Sequence, residues 1–185
     1  MRLIVAITGA SGIVYGKHLL EVLDEKKIEV HLIVSKAAEK VAKHELKQTA
    51  KDLEKLATYA YDEHDLNAPF MSGSYRTDGM IIVPCTMKTL AGIASGYADN
   101  LILRAADVTI KEHRRLVIVP RETPLSVIHI RNMLTLAELG VFVVPAMPAY
   151  YHHPKKLEDS INFIVGKILD CFDIEHKLYK RWKST

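Results

Sequence analysis

Residues 3–16 read LIVAITGASGIVYG, and the way this stretch is read decides the fold. Leu3 to Ile7 is a short apolar run, rich in β-branched residues and closed by glycine, as a buried strand is. Thr8, Gly9, Ala10, Ser11 and Gly12 follow as a tight turn. Ile13, Val14 and Tyr15 then open a helical pattern that continues through Leu19, Leu20 and Leu23. A strand, a Gly/Ser turn and a helix leave backbone N–H groups unpaired at the helix N-terminus, where an anion or the polar edge of a ring can sit.

Outward from this unit the pattern repeats. Strands are predicted over Glu29–Val34, Met80–Val83, Leu116–Val119 and Val141–Val144, and helices over Lys36–Leu46, Thr86–Ser95, Asn100–His113, Ser126–Leu139 and Leu157–Phe172. Thr49 can cap a further short helix, whereas Tyr59 to Arg76 reads as irregular. Strands alternating with helices predict an α/β fold, a parallel sheet covered on both faces. Three strands end in Val-Pro, at 83–84, 119–120 and 144–145, which marks off the loops at their carboxyl ends. Ligands of open α/β sheets bind at those ends. We expect one domain over residues 1–185, with a helical tail from about 173.

Bulk properties narrow the function classes. A net charge of +3 without a basic run argues against nucleic acid. No apolar stretch approaches the ~20 residues of a membrane helix. Two cysteines, Cys85 and Cys171, make no disulfide framework and no metal spacing, so a cytoplasmic setting is expected. Cys85 reads as a small buried residue rather than a nucleophile.

The loops carry the candidate chemistry. Gly9, Gly12 and Gly16 are spaced GxxGxxxG, close to some dinucleotide-binding reductases. The acid such enzymes use near the end of the second strand is replaced here by Ser35 and Lys36. Ser35 suits a phosphate or a ribityl chain better. Pro84-Cys85-Thr86-Met87-Lys88-Thr89 again leads from a strand into a helix, and its hydroxyls lie beside free N–H groups; it is a phosphate nest or a plain N-cap. Arg104, Asp107 and Lys111 share a helix face, either as a solvated ion-paired face or as one turned toward the strand ends. Arg121 and Glu122 sit in a loop stiffened by Pro120 and Pro124, either as a structural ion pair or as a phosphate grip with a proton carrier. The loop PAMPAYYHHP at 145–154 offers rings that could wall an aromatic or allylic ligand or pack at an oligomer interface. His152 and His153 have no third metal ligand at a recognisable spacing. The acidic run Asp62-Glu63-His64-Asp65 reads as a solvated loop, with no DDxxD repeat.

Taken together, these residues resemble the UbiX-type flavin prenyltransferases over almost the whole chain. The likeness rests on TGASG at 8–12, VSKAAEK at 34–40, Glu45, PCTMKT at 84–89, RAADVTIKEHR at 104–114, VPRETPLS at 119–126, PAYYHHP at 148–154 and Arg181-Trp182. The resemblance implies a Rossmann-like, flavodoxin-type three-layer fold assembled as a homododecamer. It implies transfer of a dimethylallyl group from dimethylallyl monophosphate to N5 and C6 of reduced FMN, without metal. The prenylated FMN would pass to a UbiD-type decarboxylase; older descriptions of such sequences call them decarboxylases. By position, Gly9, Ala10, Ser11, Ser35, Thr86, Met87, Lys88, Thr89 and Arg121 match FMN-binding residues. Lys111, Arg121, Glu122 and Tyr151, with Arg104 nearby, match the prenyl-phosphate group. Ser11 and Glu45 match residues beside the reacting flavin edge, and Trp182 matches a tail aromatic near the site. Lys167 stands where the family often has an arginine, which keeps the charge but loses the bidentate fork.

Within that resemblance, Thr86–Thr89 with Ser35 makes the better FMN phosphate site, and the first turn lies against the reacting edge. The rival readings are an FMN-dependent decarboxylase of the phosphopantothenoylcysteine type, a non-catalytic FMN carrier and, given Ser35, more distantly a reductase.

Overall fold

A computed structural model describes residues 1–65 and 67–183. Six parallel strands, β1 (Arg2–Ile7), β2 (Glu29–Val34), β3 (Tyr59–Tyr61), β4 (Gly79–Cys85), β5 (Arg115–Pro120) and β6 (Phe142–Val143), form one sheet in the order β3-β2-β1-β4-β5-β6. Leu3 pairs with Val30 on one side and Gly79 on the other, so β1 is central. The chain winds outward from β1 in both directions, which puts the topological switch point between β1 and β4.

Alternation along the strands assigns the layers. Leu3, Val5, Ile7, Ile81 and Val83 face one core with Leu19 and Leu23 of α1 (Ile13–Glu25) and Ile164 and Ile168 of α7 (Leu157–Asp170). Ala38 and Ala42 of α2 (Lys36–Glu45) and Leu53 of α3 (Ala50–Glu54) join that core. Ile4, Ala6, Met80 and Ile82 face the other core, with Leu90 of α4 (Met87–Ala94), Leu103 of α5 (Leu101–Lys111) and Leu136 of α6 (Val127–Glu138). The result is the three-layer Rossmann-like sandwich expected.

Three expectations are corrected. Tyr59–Tyr61, read as irregular, is edge strand β3; Tyr59 and Tyr61 stack on His31 with ring centroids 4.9 and 5.7 Å away. The acidic run is not merely solvated. Glu63 accepts the Lys36 N–H at 2.8 Å through its carboxylate and the Leu101 N–H at 2.8 Å through its carbonyl, and Asp62 pairs with the Lys36 ammonium at 2.9 Å. The tail beyond Asp170 is turn and irregular chain through Lys183 rather than helix, because Asp173 takes a positive φ of 55° and the chain reverses there.

Candidate functional site

Three helix N-termini, those of α1, α2 and α4, meet at the carboxyl edge beside the switch point, and each is finished differently. At α1, Gly12 is the N-cap with φ 104°, a conformation that favours glycine. The Glu45 carboxylate accepts the Gly12 N–H at 3.0 Å and the Ile13 N–H at 3.0 Å. The first turn therefore already holds an anion, and that anion is a side chain at the end of α2. At α2, the Ser35 hydroxyl accepts the Ala38 N–H at 3.1 Å, and Glu63 takes the Lys36 N–H. At α4, the Thr86 hydroxyl accepts the Thr89 N–H at 3.1 Å and donates to the Thr89 hydroxyl at 2.9 Å. Met87 and Lys88 form the first turn of that helix, where N–H groups have no intrahelical acceptor. Among the described residues, no carboxylate closes this end of α4.

Thr8 locks these turns together. Its buried hydroxyl donates to the Pro84 carbonyl at 2.8 Å and accepts the Thr86 N–H at 2.8 Å, which ties the carboxyl end of β1 to that of β4. Gly9 and Ala10 continue from it, with the Ala10 N–H on the Thr8 carbonyl at 2.9 Å. From β5, Arg121 Nε donates to the Ser11 carbonyl at 3.1 Å. Tyr15 lies close to Arg121 and Tyr150; burial raises its phenol pKa, which Arg121 opposes. Ser11, Glu45, Thr86–Thr89 and Arg121 are thus gathered at one edge, and Glu122 follows Arg121 with its carboxylate on the Thr123 N–H at 3.2 Å. Cys85 is fully buried and its thiol is pushed up to about 12 by desolvation, so it is no nucleophile at neutral pH.

A second group packs on α7. Tyr151 stands edge-on to Trp182 at 5.4 Å and to Phe163 at 6.1 Å between ring centroids. His152 stacks on Phe163 with the planes 6° apart. Lys167, one helical turn past Phe163, points to Asp170 at 3.4 Å. The Asn162 side chain, hydrogen-bonded to His18 at 2.6 Å, holds α7 against α1.

One expected residue lies elsewhere in the chain. Lys111 ends α5 at the amino edge of the sheet. It pairs with Glu112 and lies over Gly73, next to the loop whose carbonyls at 73 and 75 Arg114 grips. From there to the carboxyl edge is the length of a six-residue strand, about 20 Å. One chain cannot bring Lys111 to Arg121. Arg104 is paired with Asp107 at 2.7 Å along the same helix. Sequence reading also missed Thr8 as the tie between two turns and Asp170 as a centre of charge pairing. The buried position of Thr8 at the end of an apolar run was the signal for the first, and Asp170 gave none.

A doubly wound parallel sheet with polar helix ends converging at its switch point defines a domain that binds a phosphorylated cofactor. The flavoprotein family pattern matches residues 1–181. A flavin prenyltransferase UbiX of Methanocaldococcus jannaschii is 50% identical over 185 residues, covering 100% of both chains. The crystal structure of a dodecameric FMN-dependent UbiX-like decarboxylase from Escherichia coli O157:H7 superposes with a TM-score of 0.97 at 49% identity, covering 100% of each chain. A crystal structure of AnUbiX (PadA1) in complex with FMN and dimethylallyl pyrophosphate gives a TM-score of 0.97 at 47% identity, covering 100% of this chain and 98% of that one. The chain belongs to the flavoprotein family and, within it, to the UbiX-type flavin prenyltransferases.

Proposed function

We propose that this enzyme joins the dimethylallyl group of dimethylallyl monophosphate to N5 and C6 of reduced FMN, and that the prenylated FMN serves a UbiD-type decarboxylase. The observation that carries the reading is the N-terminus of α4: no carboxylate of the described residues closes it, so its first-turn N–H groups and the Thr89 hydroxyl proton are left for an outside anion. Thr86, Met87, Lys88 and Thr89 would hold the FMN phosphate there, and Ser35 would hold the neighbouring chain of the cofactor. Reduced FMN, as co-substrate, supplies the nucleophilic atoms. The protein supplies orientation and charge.

Gly9, Ala10 and Ser11 form the wall for the reacting edge. Arg121, already aimed at the Ser11 carbonyl, would grip the leaving phosphate beside it with its remaining guanidinium N–H groups. Glu122 would deliver a proton to a phosphate oxygen, since a monophosphate leaves poorly with its full charge. Glu45 Oε2, within 3.0 Å of two backbone N–H groups, would take the proton released when the ring closes at C6. Tyr151 and Trp182 offer π-faces to the allylic group. No residue on this list requires a metal ion.

Lys111 belongs to the prenyl-phosphate group by position, and it lies at the far edge of its own chain. We infer that it serves the site of a neighbouring copy in a homo-oligomer. The exposed apolar side chains Val127, Ile130 and Leu134, spaced along one face of α6, form a patch that such a copy would cover. Cys85 and Cys171 are both free thiols, which suits the reducing cytoplasm.

The test is anaerobic incubation of the purified protein with reduced FMN and dimethylallyl monophosphate, without added metal, and in parallel with the diphosphate. Mass spectrometry is expected to find a prenylated flavin. FMN-loaded protein that yields no mass increase with either donor overturns the reading, and release of CO2 from a cysteinyl peptide would favour the decarboxylase.

A further inference from the structure

The segment after α7 rests on the core through Ile174 and Leu178 and on Phe163 through the Tyr179 ring, and its charged and polar side chains converge on Asp170. The chain turns back at Asp173, and residues 174–182 run antiparallel along α7 toward its start. Gly166 makes room for them: a Cβ there would lie 2.6 Å from the Tyr179 ring. The Asp170 carboxylate then collects three donors from this returning segment. Arg181 forks onto it at 2.6 and 3.2 Å, the Tyr179 hydroxyl donates at 2.7 Å, and His176 Nε2 lies 3.0 Å away. Burial pushes the Asp170 carboxyl up, but Arg181, Tyr179 and His176 hold it well below the usual carboxylate range. Beyond this cluster the segment carries Trp182 to its edge-on contact with Tyr151.

We propose that Asp170 is a positioning residue for prenyl transfer: it latches the returning segment onto α7 and thereby seats Trp182 against Tyr151 at the prenyl-phosphate end of the site. Ile174 and Leu178 are the aliphatic side chains of this segment that pack on the core, neither is fully buried, and residues 180–182 are exposed, so its far end opens locally more easily than the core and the charge cluster biases how much of the time Trp182 is in place. Arg–carboxylate forks are strong and directional, which suits a latch. Lys167 belongs to the same arrangement. Its ammonium leans on Asp170, which fixes the direction of the cation one turn beyond Phe163. Asp170 therefore acts through Trp182 and Lys167 and touches neither flavin nor donor. The proposal rests on the reading of Tyr151 and Trp182 as residues of the donor site.

Trp182 is the one tryptophan of the chain, so its fluorescence reports on the segment directly. Asp170→Asn, compared with the wild type as full-length FMN-loaded protein, is expected to lower Trp182 anisotropy and to raise tryptic cleavage after Lys177 and Lys180 about tenfold. The KM for dimethylallyl monophosphate is expected to rise about tenfold, with FMN affinity and kcat within about threefold of wild type. Asp170→Glu keeps the charge and is expected to recover most of both losses. If Asp170→Asn fails to fold, Arg181→Gln and Tyr179→Phe loosen the latch from the side of the segment and carry the same expectations. A raised KM with unchanged anisotropy and cleavage overturns the proposal, as does a freed segment with unchanged KM, or a fall in FMN affinity parallel to the rise in KM. Should the wild type itself make no prenylated flavin, the prenyl-transfer reading fails and with it the role in KM. The latch is then judged on Trp182 alone, and unchanged anisotropy in Asp170→Asn overturns it.

Discussion

The carboxylate of Glu45 accepts hydrogen bonds from Gly12 and Ile13 N–H, and these are the groups that would otherwise draw a ligand phosphate to the first turn. A side chain in that position excludes the phosphate by charge and leaves the turn free to present Ser11 to a ring edge. Glu45 is also solvent-exposed, so a proton taken there can leave. Glu45→Gln keeps an acceptor for the two N–H groups and removes the base. Turnover is expected to drop about 100-fold, in the range of general-base losses, while FMN binding stays within about twofold. Stopped-flow turnover beside an FMN titration checks this, and unchanged turnover removes Glu45 from the mechanism. The sequence offered Glu45 only through the family likeness, because nothing local to residue 45 says that the end of α2 meets the start of α1. Ser11 and Arg121 were each visible in their own loops. Their contact across 110 positions was not, since it depends on β1 and β5 ending at the same edge.

At the scale of elements, the parallel sheet was legible because buried strands are apolar runs punctuated by Val-Pro, and helices follow with caps that can be read. β3 was not legible: it is three residues long, and its tyrosines are held by a histidine on the neighbouring strand rather than by any pattern of their own. The end of α7 escaped for a related reason, since the fold-back depends on a glycine slot and a carboxylate that no periodicity marks. The N-cap of α4 allows local stability and ligand binding to be separated. Thr86→Ala removes a cap and is expected to cost about 1 kcal/mol of stability. The same loss is expected from Asn100→Ala, which caps α5 by accepting the Leu103 N–H at 3.0 Å. If the α4 end holds the FMN phosphate, Thr86→Ala also weakens FMN binding about tenfold or more, whereas Asn100→Ala leaves it within about twofold. Calorimetric titration of both variants with FMN decides, and equal affinities would place the phosphate elsewhere.

At the scale of the whole molecule, the positions of Lys111 and Arg121 on opposite edges make a quantitative demand. A cation about 20 Å from the leaving phosphate contributes little in water at physiological salt, where screening acts over roughly 8 Å. Lys111 therefore matters to prenyl transfer only if another copy turns its amino edge toward this carboxyl edge. Its present partner, Glu112, is exposed enough for the pair to be worth little, so the lysine is easily redirected to a phosphate. Lys111→Met and Glu45→Gln then damage the same site from different chains. Oligomers of either variant alone are expected to be nearly inactive. When the two are unfolded, mixed and refolded together, some sites combine an intact Glu45 from one chain with an intact Lys111 from the other. With random mixing at equal amounts, about a quarter of the sites are whole, and activity is expected to approach about a quarter of that of refolded wild type. The readout is prenylated flavin per site, with oligomer size followed by light scattering in the same samples. Mixed oligomers of wild-type size that stay as inactive as their parents would place Lys111 outside the shared site.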